Sequence, residues 1–156
     1  TEASVKGNIV DFVGHEQRIF PIGRLDKDST GLVILTNDGR VSSSAFTPDS
    51  GVEKEYLVDT YGPATDAQVM RAAKGGIMLE RPTKPCAIER VSSGTLRVVI
   101  SEGMNRQIRR VFDFVGMKVK NLRRVRVGAV RLGTLAEGEH RPLSNAERDS
   151  LLHPKG

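Results

Sequence analysis

Apolar residues in this chain arrive in short runs, and their period is what limits the fold. Six segments, Arg18 to Ile22, Leu32 to Thr36, Glu55 to Tyr61, Cys86 to Val91, Thr95 to Ser101 and Met117 to Val127, carry β-branched or aliphatic residues at strand-like spacing. Helical spacing is confined to Thr65 to Lys74, Asn105 to Val115 and Ser144 to Leu152. Thr65 or Asp66 can cap the first helix and Gly75-Gly76 can stop it, while the second ends at Gly116. Asn37-Asp38-Gly39 and Ser92-Ser93-Gly94 are turn chemistry, and the second is tight enough for a hairpin. The pattern predicts an α+β fold with a mainly antiparallel sheet.

At 156 residues and 17.0 kDa the chain can bury one sizeable core and is short for two, so residues 1–156 are expected to form a single domain. It begins at Thr1 rather than Met, as a trimmed piece of a longer protein would. No apolar run reaches membrane-spanning length and no signal sequence opens the chain, so the expectation is a soluble, cytoplasmic protein. An organellar chain freed of its transit peptide would read the same way. One cysteine, Cys86, excludes an internal disulfide, and with His15, His140 and His153 it makes no metal-ligand spacing. No metal site is expected.

Charge is unevenly placed. From Met104 to Arg131 nine Lys/Arg face one acid, a balance of +8, while the remaining 15 cations and 18 acids sum to −3. A basic block on a slightly acidic body is the footprint of a polyanion partner, most simply nucleic acid. On a helical wheel Ile108, Val111, Phe112 and Val115 share one face of the Asn105 to Val115 segment, Arg106 and Arg110 lie opposite, and Arg109 falls at the border. Arg109 is therefore the candidate for a fixed, half-buried ion pair, and Arg106 and Arg110 are expected to face water or phosphate. In the next strand Lys118, Lys120, Arg124 and Arg126 share a period-2 face opposite Val119, Val125 and Val127, which would extend the basic stripe.

Gly23-Arg24-Leu25-Asp26-Lys27-Asp28-Ser29-Thr30-Gly31 sits between apolar Ile19, Phe20 and Ile22 and the run Leu32 to Leu35, which predicts a polar loop held by two core strands. Arg24, two residues before Asp26, is a cation of the kind that favours a charged, nucleophilic carboxylate. A surface turn with a local ion pair is the plainer alternative. Tyr56 is one of two tyrosines in a chain without tryptophan. It either packs as a strand tyrosine or stacks on a base drawn out of its helix.

These segments together resemble a family. Gly23-Arg24-Leu25-Asp26 with Ser29-Thr30-Gly31-Leu32, then Lys54-Glu55-Tyr56, then Glu102-Gly103-Met104-Asn105-Arg106-Gln107-Ile108-Arg109-Arg110, follow the order and spacing of the RNA pseudouridine synthases, RsuA branch. The resemblance runs from about Arg18 to Leu143, and Ile19-Phe20-Pro21-Ile22 with the Asn105 to Arg110 stretch look most like RluF-type members acting on large-subunit ribosomal RNA. Thr83-Lys84-Pro85 and Ser101-Glu102-Gly103 also resemble the small-subunit enzyme. Members of this branch usually carry an N-terminal RNA-binding domain of the S4 type, and no such domain is expected in this chain.

The resemblance implies a mixed sheet with flanking helices and a central basic cleft, converting uridine to pseudouridine in ribosomal RNA or a ribosomal subunit precursor, as a monomer without cofactor or metal. Asp26 would attack ribose C1′ or uracil C6, the base would detach and rejoin through C5, and a proton would leave C5. Tyr56 matches the tyrosine that stacks on the uracil, and Arg109 the arginine paired with the catalytic aspartate. Arg24 matches the residue holding the displaced nucleotide, with Ile100 or Leu122 beneath the uracil. Leu25, Lys54, Asn105 and Gln107 fall in the same motifs and are assigned to the substrate. Arg106, Arg110, Lys118, Lys120, Arg123, Arg124 and Arg126 would contact the RNA backbone.

Two other readings stay open. Asp26-Lys27-Asp28-Ser29-Thr30 matches the Asp-x-Asp-x-Thr signature of magnesium-dependent haloacid-dehalogenase phosphotransferases, although Gly23-Arg24 interrupts the apolar strand that signature follows. A basic RNA-binding or ribosome-associated domain that kept the fold without the chemistry is the other.

Overall fold

The computed structural model describes residues 20–22, 25–36 and 51–152. The Asn37-Asp38-Gly39 turn, Arg18, Ile19 and Arg24 lie outside them. Two short strands, β1 (Phe20–Ile22) and β3 (Ile34–Thr36), pair antiparallel, and between them β2 (Thr30–Gly31) leaves to join the main sheet. That sheet also contains β4 (Lys54–Thr60), β5 (Ala87–Ser92), β6 (Thr95–Ile100), β7 (Val119–Val127) and β8 (Val130–Arg131). Its order is β2-β7-β4-β6-β5, with β8 paired to β7. Among its described strands only the β2–β7 pair is parallel, so the sheet is mixed and mainly antiparallel, as expected. The β5–β6 hairpin turns at Ser93-Gly94, where the sequence places it.

Among the described residues three helices, α1 (Asp66–Lys74), α2 (Gln107–Phe114) and α3 (Asn145–Leu152), pack with the sheet in an α+β fold. Alternate residues of β6, Leu96, Val98 and Ile100, point into a core shared with Val58 of β4, Ala72 of α1 and Ile108, Val111 and Phe112 of α2. Emptying the Phe112 site would cost about 3 to 5 kcal/mol. A second cluster joins Leu32 and Ile34 to Val127, Val130 and Leu151 of α3, and fixes the stretch that follows the Asp26 loop.

The basic face read from β7 does not form, because the strand breaks period 2 twice. Register shifts at Glu55/Tyr56 and Asp59/Thr60 leave Val125 and Lys120 as extra residues opposite β4. Between the two bulges Leu122 and Arg124 turn inward together and Arg123 turns out. Arg124 is only 3% exposed.

Candidate active site

Asp26 starts a tight turn whose carbonyl accepts from the Ser29 amide at 2.9 Å. The chain is then pinned to β7. Thr30 and Gly31 pair with Arg123 and Arg124, the Leu32 amide donates to the Arg124 carbonyl at 2.9 Å, and Arg124 donates from Nε and Nη2 to the Leu32 carbonyl at 3.0 and 2.8 Å. Gly31, at φ +116, is required for this approach, since a Cβ there would overlap the Arg124 backbone. Arg124 thus locks the Asp26 loop to the sheet, where sequence reasoning had it meeting phosphate.

The loop closes one side of a cleft of about 310 Å³ at the Lys54 end of β4. Leu25 and Asp26 come from the loop, Lys54 and Tyr56 from β4, Ile100 from the end of β6, and Leu122 and Arg124 from β7. Asn105, Arg106 and Gln107 enter from the start of α2. Ten residues assigned from the sequence therefore line one cavity. The Asp26 side chain is 35% exposed, so the carboxylate is reachable from solvent rather than sealed off. Lys54, 4% exposed, donates to the Val52 carbonyl at 3.4 Å, and burial, helped by the nearby Arg124 charge, pushes its ammonium down to about 8.

The arginines of α2 stand on the faces the wheel gives them, but each is paired with an acid of this chain. Arg109 is at the border as expected, its side chain 14% exposed, but its Nη2 donates to the Asp28 carbonyl at 2.7 Å and its Nε lies 3.5 Å from Asp28 Oδ1. Arg106, expected to face water or phosphate, has a side chain 45% exposed, yet it donates to both Asp28 carboxylate oxygens at 3.1 Å and brings Nη1 to 3.7 Å from Asp26 Oδ2. Among the described residues the cation beside Asp26 is thus Arg106, because the 26–29 turn presents Asp28, not Asp26, to Arg109. The Arg106 hydrogen bond holds the Asp28 carboxyl below its ordinary range.

Of the other proposed phosphate contacts, two are paired with acids and three stand exposed. Arg110 is paired with Glu80 at 3.0 and 2.5 Å. Arg126 is held by Glu55, Glu53 and the Gly128 carbonyl at 2.9, 3.2 and 2.8 Å, so it is not turned to solvent. Lys118 faces solvent with Asp113 at 4.0 Å, and Lys120 and Arg123 are exposed on β7.

Sequence reasoning gave no role to Glu102, which is 1% exposed. It accepts from the Lys84 amide at 2.7 Å, Arg81 Nη2 at 3.3 Å and Gln107 Nε2 at 2.9 Å, while Gln107 Oε1 accepts from the Met104 amide at 3.0 Å. Gln107 therefore spends its amide on the 102–107 loop, at the cleft wall. Glu102 stood in a quoted motif, but only its burial reveals its part.

Among the described residues no group of three or more His, Cys, Asp or Glu is arranged to hold a metal ion, and no helix is long and apolar enough to cross a membrane. Residues 2–114 match the family model described as RNA pseudouridylate synthase. The chain is 42% identical over 152 residues to the dual-specificity RNA pseudouridine synthase RluF of Shigella flexneri, covering 97% of this chain and 52% of that protein. Against the ribosomal small subunit pseudouridine synthase A of Salmonella typhimurium it is 40% identical, over 86% of this chain and 59% of the other. The chain thus spans about half the length of the curated relatives it matches. A crystal structure of a pseudouridylate synthase superposes with a TM-score of 0.84 at 35% identity, covering 96% of this chain and 67% of that one. At 20% identity, an archaeal box H/ACA Nop10–Cbf5 complex shares the fold with a TM-score of 0.52. With the Asp26, Tyr56 and α2 motifs gathered in one cleft and the family model matched across most of the sequence, the chain belongs to the RNA pseudouridylate synthases of the RsuA branch, RluF-like.

Proposed function

We propose that this chain isomerises uridine to pseudouridine in ribosomal RNA, with large-subunit RNA as its substrate and Asp26 as the nucleophile. The observation that carries this reading is the convergence of Asp26, Tyr56, Lys54 and Arg106 on one cavity of about 310 Å³, the low end of small-ligand sites and of a size for one nucleotide. A uridine must leave its stack to enter such a cleft. Apolar Ile100 and Leu122 supply walls for the flat base, and the Tyr56 ring supplies a stacking face beside the carboxylate. Arg106 holds a cation at the carboxylate, 3.7 Å away, and the buried Lys54 adds a second cation to the lining.

During the reaction Asp26 donates its electron pair to C1′ or C6 of the bound nucleotide, and the glycosidic bond breaks. The detached uracil turns between Tyr56 and the apolar wall and bonds C1′ through C5. Meanwhile the bond to Asp26 breaks and returns its electron pair to the carboxylate, and uracil N1, freed from C1′, takes up a proton. The C5 proton then passes to a base, for which Tyr56 is positioned on the cleft. Lys118, exposed just before β7, and Lys120 and Arg123, exposed on it, are assigned to the RNA backbone.

Ribosomal RNA carrying tritium at uracil C5 tests this directly. The parent chain is expected to release tritium to water without added metal, and Asp26→Asn to release none while still binding RNA. Binding by both proteins with release by neither, on free RNA and on subunits, would favour the non-catalytic reading instead.

A further inference from the structure

Asp28 neither attacks the nucleotide nor moves a proton, yet two arginines of the site converge on it. Both Arg106 terminal nitrogens donate to its carboxylate at 3.1 Å. Arg109 donates to its carbonyl at 2.7 Å, and the buried Arg109 Nε, which has no hydrogen bond, lies 3.5 Å from Asp28 Oδ1. Arg106 holds this position from a left-handed backbone, φ 51, the only positive φ outside glycine among the described residues. A non-glycine residue kept there needs contacts elsewhere to hold it, and Asp28 supplies the most direct of them. The carboxylate also faces the amino end of α2, whose first turn carries no acid and two arginines.

We propose that Asp28 is a positioning residue for uridine isomerisation: it draws Arg106 and Arg109 onto the Asp26 turn, so that Arg106 stands at the Asp26 carboxylate instead of spreading into the RNA phosphates. This rests on the proposed function, since Asp28 acts through the Arg106–Asp26 contact. An acid placed beside a polyanion weakens binding of that polyanion, so its presence opposes affinity. Its gain must come at the reacting centre. There, misplacing a group by about 1 Å can cost on the order of a hundredfold in rate.

The two effects have opposite signs, and that makes the idea testable. Asp28→Asn keeps the side-chain shape and removes the charge. Its kcat for tritium release should fall between about tenfold and a hundredfold. Its affinity for ribosomal RNA at low salt should rise, and the slope of log K against log salt should steepen by up to about two as the freed guanidiniums meet phosphates. A residue needed only for folding would not tighten RNA binding. Asp28→Glu, which restores the charge, should recover most of the lost kcat, and Asp28→Asn with Arg106→Gln should be no slower than Arg106→Gln alone.

Thermal unfolding of each variant gives the folded fraction by which kcat is scaled. Asp28→Asn turnover within twofold of the parent overturns the proposal, as does a fall in kcat accompanied by weaker RNA binding. If the parent itself releases no tritium, the proposed function fails first, and the Asp28 variants are not what overturned it.

Discussion

The amino ends of α1 and α2 solve the same problem in opposite ways. α1 is closed by its own residues: Thr65 Oγ1 accepts from the Gln68 amide at 3.1 Å and Gln68 Oε1 accepts from the Thr65 amide at 2.9 Å, a complete capping box. Asp66 stands in its first turn and Arg71 and Lys74 in its last, each sign matched to the helix dipole. α2 begins at Arg106 with a left-handed backbone and no side-chain cap, and its first turn has no acid. Its order is supplied by Glu102 through Gln107, while Asp28 holds the Arg106 guanidinium at the cleft. A helix that only packs can be stabilised locally, whereas one that delivers a cation to a cleft gives up local stability and depends on tertiary contacts.

Cutting that support should give the largest effect. Glu102→Ala leaves the buried Gln107 amide nitrogen and the partly buried Lys84 amide without this acceptor, and empties a fully enclosed site. We expect a loss of about 3 to 5 kcal/mol in denaturant unfolding, with turnover falling as the cleft wall loosens. Glu102→Gln, which keeps the volume, should lose less, about 1 to 3 kcal/mol. Equal and negligible losses in both would mean that α2 does not lean on this carboxylate.

The cleft floor offers a pH test of the same dependence on buried charge. The folded protein holds the Lys54 proton only to about 8, against 10.5 for an unburied lysine, so the unfolded chain binds more protons between those values. Stability of the parent relative to Lys54→Met should therefore rise with pH across that window, by about 3 kcal/mol in all. Below it the cost of burying the ammonium is constant and the difference is flat. A flat difference throughout, measured by urea unfolding from pH 7 to 11, would contradict a depressed Lys54. Thr65→Ala should cost about 1 kcal/mol and leave kcat and KM unchanged, since α1 does not line the cleft.

How much of this was legible in the sequence follows the same division. Strand and helix runs, the α1 cap and the hairpin at Ser93-Gly94 are written in local chemistry and stand close to where the spacing puts them. The cleft residues were legible as motifs, which is why ten of them meet in one cavity. Partner choice was not legible, because it depends on register. The β7 bulges that turn Arg124 inward arise from pairing with β4 and leave no mark in period 2. Likewise the 26–29 turn, which gives Asp28 to Arg109, is set by one backbone hydrogen bond and by the Gly31 contact with β7. Arg24, the other cation assigned to Asp26 from the sequence, lies outside the described residues.

The smallest expected change in stability is the one that best separates folding from function. Arg106→Gly removes a side chain from a backbone angle, φ 51, that glycine adopts freely. Relief of that angle contributes about 1 to 2 kcal/mol, and the extra freedom of glycine in the unfolded chain offsets about 0.5 to 1 of it. The ion pairs lost are partly exposed and offset little more. Unfolding free energy should thus stay level or rise by no more than about 1 kcal/mol. Turnover should fall sharply in the same protein, because the guanidinium 3.7 Å from Asp26 is gone. At the capped start of α1 no such opposition is available: Thr65→Gly removes a favourable cap and touches no chemistry. Stability and turnover falling together in Arg106→Gly would show that Arg106 serves the helix as Thr65 does, and the contrast between the two helix ends would collapse.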